Sequence, residues 1–178
     1  MNSLLARLVA IALLRGGPQD LPFDARLLTR LLVAWALLQL FAQYVLFEGR
    51  GGLLQLPVAL AFLLLPIHGL LRLRGRPERF LQTATAFVGC SLLFGLAVLL
   101  VMLGADPAPA AGEPAPQPST LQALLGLVWL LLTAWKLAVD AHIWRQALEF
   151  PPPLAIATSL TLFLAEIAVL SRLAGATE

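Results

Sequence analysis

The sequence predicts an all-α protein, a polytopic transmembrane bundle of five helices preceded by a short interfacial N-terminal helix. Three observations predict it. The chain of 178 residues is 60% hydrophobic, with mean hydropathy +0.87 and only 12% charged residues, about half the charged fraction of soluble domains. Five apolar runs have cores near 31–47, 53–71, 81–103, 121–142 and 154–173. Each reaches roughly the 17–25 residues that cross a bilayer core, and in lipid the backbone must satisfy its own hydrogen bonds, so these are helices. Finally, the basic residues occupy alternate connections. Arg7, Arg15, Arg26 and Arg30 precede the first run, Arg72, Arg74, Arg76 and Arg79 lie in the second connection, and Arg145 with Lys136 just inside marks the fourth. The first connection has Arg50 alone, the third none, and the C-terminus Arg172. Positive-inside asymmetry then places the N-terminus in the cytoplasm and the C-terminus in the periplasm. Eleven arginines against one lysine, with abundant Leu, Ala, Gly and Pro, suit a GC-rich bacterial genome and hence an inner membrane.

Residues 1–24 form the interfacial helix and its hinge. The apolar stretch Leu8–Leu14 is short for a signal peptide and is followed by Arg15-Gly-Gly-Pro rather than a small-x-small cleavage site. An interfacial helix is the preferred reading, with a buried or partner-bound helix as the alternative. Gly16 to Asp24 is turn-rich, and Asp24 suits the cap of the next helix. The five-span domain occupies residues 25–174. Phe23, Phe80, Trp144 and Phe150 fall at the inner aromatic belt, Tyr44 and Phe47 at the outer one. The 105–119 connection holds five prolines and reads as an extended periplasmic loop, a spacer or a partner-docking strip. Pro151-Pro-Pro153 stops the fourth helix and starts the fifth, making an antiparallel hairpin.

Polar residues inside the spans are the candidate sites, because lipid makes them expensive. Counting about 1.5 Å of rise per residue, Gln39, Gln43 and Glu166 sit at similar heights near mid-membrane. Glu166 is expected to hydrogen-bond to Gln39 or Gln43 as interhelical glue, with a proton or ion relay or a partner contact as alternatives. A second layer nearer the cytoplasm holds His68, Lys136 and Asp140. Lys136 and Asp140 are four apart on one helix face and pair with each other. The three could form one cluster. The preferred reading has Lys136 snorkelling toward Asp140 and the headgroups, with His68 bonded to a backbone carbonyl; the alternative is a water-filled vestibule or binding pocket, and His142 points to another face. Arg72, Arg74, Arg76 and Arg79 set topology and are candidates for binding anionic lipid or an acidic partner. Cys90, the only cysteine, excludes an intramolecular disulfide and reads as a packing residue. Ala84, Ser91 and Gly95 on one stripe of the third span, and Thr85 and Gly89 on another, read as close-packing positions.

No catalytic motif is present, neither His-Glu-x-x-His nor Gly-x-Ser-x-Gly nor a phosphate-cradling glycine loop, and nothing calls for a cofactor or metal. A net charge of +2 gives no footprint for nucleic acid. The five spans over residues 25–174 and the cytoplasmic N-terminus resemble the Yip-type membrane proteins in topology. That resemblance implies a non-enzymatic role in membrane organisation or partner recruitment; it carries over no site residues. The leading expectation is an inner-membrane accessory or scaffold protein whose partners are lipids, a membrane protein or further copies of itself. The alternatives are a small oligomeric transporter or ion-conducting protein using Glu166 and the His68–Lys136–Asp140 cluster, and an intramembrane lipid-handling enzyme using His68 and Asp140 as acid and base. A continuous polar cavity joining the two layers would favour transport; dry, separately satisfied layers would favour the scaffold.

Overall fold

A computed structural model describes residues 4–47, 55–105 and 119–175. All the regular structure in them is helical: α1 Leu4–Ala12, α2 Ala25–Phe47, α3 Gln55–Leu73, α4 Phe80–Leu103, α5 Thr120–Leu148 and α6 Pro152–Gly175, with single 3₁₀ turns at Pro18–Asp20 and Pro77–Arg79. Helices α2 to α6 are each long and apolar enough to cross a membrane. The chain is a multi-pass membrane protein with a short N-terminal helix, as its sequence predicts. The proline-rich segment 106–118, Arg50 and the side chain of Phe47 lie outside the described residues.

Local chemistry fixes the helix ends. The Asp24 carboxylate accepts from the Arg26 backbone N–H at 2.8 Å, satisfying one of the orphan donors at the start of α2. At the start of α5, Ser119 and Gln122 exchange bonds. The Gln122 N–H donates to Ser119 Oγ at 3.2 Å and the Ser119 N–H to Gln122 Oε1 at 2.8 Å, which is a capping box. Helix α3 ends where Gly75 takes φ +68°. The Arg76 N–H then reaches back to the Leu71 carbonyl at 2.8 Å, and the Gly75 N–H to Arg72 at 3.0 Å, closing the helix in a left-handed turn. Helix α5 stops at Leu148, and α6 begins on Pro152, whose missing N–H costs nothing at a first helical position. Pro66 sits inside α3. Lacking an N–H, it leaves the Phe62 carbonyl without its helical partner.

Helix α4 is the centre of the bundle. A third (33%) of its most apolar stretch is buried, against 6–17% for the other four spans, and it packs on α1, α2, α3 and α5. Small side chains make this possible: residues 83–90, Thr-Ala-Thr-Ala-Phe-Val-Gly-Cys, are all buried. Gly89 receives α1 directly, since a Cβ there would lie 2.5 Å from Leu8 Cδ2. Helix α1 is therefore docked into the bundle by Leu8 and Ile11, both buried, while Leu5 and Val9 remain exposed. The indole of Trp135 donates to the Ala12 carbonyl at 2.8 Å. His142 Nε2 donates to the Gly16 carbonyl, also at 2.8 Å. The Gln82 amide donates to Leu21 at 2.8 Å, so three bonds from α4 and α5 hold the N-terminal segment in place.

Candidate functional site

Between α2, α3, α4, α5 and α6 lies a cavity of about 460 Å³. Its walls are mostly apolar, as lipid-facing helices must be. Trp35, Phe87 and Trp144 line it and are all buried, and the Phe87 and Trp144 rings meet at 4.7 Å. They form an aromatic floor toward the arginine-rich end of the bundle. Trp129 and Ile167, 42% and 48% exposed, lie in the opposite half of the wall, so the cavity reaches the bundle surface there.

Gln39, Lys136, Asp140 and Glu166 all line this one cavity. Lys136 and Asp140 pair as their i, i+4 spacing predicts, with Nζ 2.6 Å from Oδ1. Both side chains are mostly covered, at 24% and 17% exposure. In that setting each charge depends on the other, since a buried charge without a partner is strongly unfavourable. Two of the cavity hydroxyls are spoken for locally. Thr133 donates to the Trp129 carbonyl at 2.9 Å, and Ser159 reaches across from α6 to Leu137 at 3.2 Å.

Two expectations are corrected here. Glu166 is bonded to neither glutamine; it makes no hydrogen bond or ion pair among the described residues and faces the cavity instead. Gln43 turns away and donates to Gln55 Oε1 at 3.1 Å, bridging α2 and α3. Equal depth did not bring the groups together, because the cavity holds α2 and α6 apart at that level. His68 neither joins Lys136 and Asp140 nor bonds a backbone carbonyl among the described residues. It is exposed and stands edge-on to Phe80, with ring centroids 5.6 Å apart. Its side of α3 faces outward.

The arginine connection folds onto the α5–α6 corner. Arg76 grips both carboxylate oxygens of Glu149, with Nη2 2.6 Å from Oε2. Arg79 lies 3.4 Å from the same carboxylate and donates to the Ala147 carbonyl at 3.1 Å. These guanidiniums, Arg76 foremost, hold the Glu149 carboxyl down at about 2. Arg74 stacks on the Phe150 ring at 4.7 Å. Arg72 remains exposed. The Glu149 clamp was missed in the sequence, although a lone acid between an apolar helix and three prolines was the available signal. Among the described residues no three His, Cys, Asp or Glu side chains converge to hold a metal. Comparison with protein-family models, curated proteins and solved structures returns no match.

Proposed function

We propose that the chain is a small, non-enzymatic accessory protein of a bacterial inner membrane that holds an amphiphilic guest inside its bundle. The observation that carries this is the shared wall. Glu166, Gln39 and the Lys136–Asp140 pair face one largely apolar cavity rather than two dry layers. Apolar walls suit a lipid-like tail, and a few convergent polar groups suit its head. The aromatic floor argues for holding over conducting. The Yip-like five-span topology fits a role of this kind, with the arginine-rich end in the cytoplasm.

Mass spectrometry of the detergent-purified protein tests the reading. Wild type should retain a stoichiometric amphiphile, and Ser91→Phe, which fills the cavity from α4, should lose it while keeping its helical content. Equal retention in both would overturn it. Cysteines introduced singly in a Cys90→Ala background test the orientation: Ala110→Cys should label in intact cells and Arg74→Cys should not. A proton or ion transporter is the second reading, favoured by the unpartnered carboxyl of Glu166. Proton flux in liposomes that disappears in Glu166→Gln would promote it, because an amide cannot exchange a charge.

A further inference from the structure

A second, polar pocket of about 300 Å³ opens at the arginine-rich end, between the 3₁₀ turn at Pro18–Asp20, the start of α4 and the end of α5. It is separate from the cavity and its chemistry is different. Arg79, Arg145, Gln146 and Thr83 line it. Arg145 is exposed and makes no ion pair or hydrogen bond among the described residues. Arg79 is held in position by the Ala147 carbonyl and Glu149. Glu149 is also on the rim, but its carboxylate is gripped by Arg76, so the pocket keeps a positive surplus.

Thr83 supplies an independent observation. A threonine inside a helix ordinarily donates to the carbonyl four residues back. Thr29, Thr85, Thr133 and Thr158 all do so here, at 2.6–3.0 Å. Thr83 does not: its side chain is fully buried and its hydroxyl is the one buried side-chain polar atom without a partner among the described residues. A buried hydroxyl left unsatisfied is unfavourable, and this one belongs to the wall of a pocket that carries two guanidiniums.

We propose that this pocket binds a phosphate ester, with Arg79 and Arg145 as charged donors and the Thr83 hydroxyl as the neutral one, and that in the membrane the ester is an anionic phospholipid headgroup. Guanidinium forks match phosphate oxygens. Arg79 ends the 3₁₀ turn that enters α4 and Arg145 lies in the last turn of α5, so both stand at an end of a span, where headgroups begin. The site is independent of the guest in the cavity, and neither reading requires the other.

The test uses the full chain in neutral detergent, with thermal unfolding followed by tryptophan fluorescence. Dioctanoyl phosphatidic acid and inorganic phosphate are titrated in parallel arms. The lipid should raise the midpoint saturably and bind at least a hundredfold more tightly than inorganic phosphate; equal binding of the two would overturn the headgroup assignment. Arg145→Gln should weaken lipid binding about tenfold, as expected for losing a charge-assisted bond. Arg72→Gln, which removes an equal charge outside the pocket, should leave it within twofold. Thr83→Val should weaken binding several-fold while leaving the midpoint of the unliganded protein unchanged or higher, because it removes an unsatisfied hydroxyl. No saturable shift, equal losses in Arg72→Gln and Arg145→Gln, or full binding by Thr83→Val would overturn the proposal.

Discussion

The two halves of the bundle are built differently. Toward the arginine-rich end, Ile67 and Leu71 of α3, residues 83–90 of α4, Val139 to Leu148 along one side of α5, and Ala155 of α6 close into a single buried core. Docked α1 seals it with Leu8 and Ile11. In the opposite half, Leu99 and Ala59 are buried, while Leu96, Leu100, Leu124, Leu127, Leu131 and Leu164 are exposed. The packed half is the less apolar of the two in sequence, carrying Gln82, Thr83, Thr85, Asp140, His142 and Arg145, so hydrophobicity does not account for its tighter packing. Side-chain size and the extra helix do. Ala84, Ala86 and Gly89 let neighbours approach α4, whereas bulky leucines further along hold them off. The cavity begins where close packing ends, and the polar groups lie along that boundary. A rigid half that frames an open one is the arrangement a binding site needs.

The largest expected effect lies on the boundary itself. Asp140→Leu leaves Lys136 without its partner in a mostly covered position and should cost about 3 kcal/mol of stability. Lys136→Met strands Asp140 in the same way. The double variant Lys136→Met/Asp140→Leu should recover at least about 1 kcal/mol relative to the sum of the singles. Unfolding titrations in mixed detergent measure all three, and an additive double would show that the pair is not a unit.

Next comes the contrast between the halves. Ile143→Ala empties a fully buried site in the packed half and should cost about 3 kcal/mol. Leu100→Ala, at a position 72% exposed in the open half, should stay within about 0.5 kcal/mol. Equal losses would mean that the open half is closed by contacts beyond this chain, as in an oligomer. Gly75→Ala sharpens the comparison at the corner that anchors the packed half. Its φ of +68° is unfavourable for any residue with a Cβ, and the change should cost about 1 kcal/mol.

The architecture was legible because lipid leaves the backbone few choices. Span number, the break at Pro151–Pro153, the Asp24 cap and the Lys136–Asp140 pair all follow from local spacing. The neighbours of Glu166 did not follow, because height along a helix gives depth but not azimuth. His68 shows the same limit: its face of α3 points away from Lys136 and Asp140. The docking of α1 was the alternative to the preferred interfacial reading. It depends on Gly89, eighty residues away, making room for Leu8, which no local window contains. The Thr83 pocket was hidden for the same reason, since it joins residues near positions 18, 80 and 146.

The smallest effect is at the exposed rim of the packed half, where Glu149 meets Arg76. Glu149 caps α5 with φ 55°, so the ion pair holds a residue in a conformation that glycine would adopt more easily. Its folded carboxyl titrates near 2 instead of its ordinary 4.5. A depressed carboxyl stabilises the fold above the unfolded value, and the contribution is lost as pH falls from about 4.5 toward about 2. The carboxylate is 60% exposed, so water and salt screen the pair and the effect should be modest. Other acids also titrate in this range, so the informative quantity is the difference between wild type and Glu149→Gln. That difference should be constant from pH 7 to pH 5, shrink between pH 4.5 and pH 2, and shrink at all these pH values in high salt. A difference that does not change with pH would show that Glu149 holds the corner through its backbone geometry alone, and that the arginine clamp contributes nothing to the packed half.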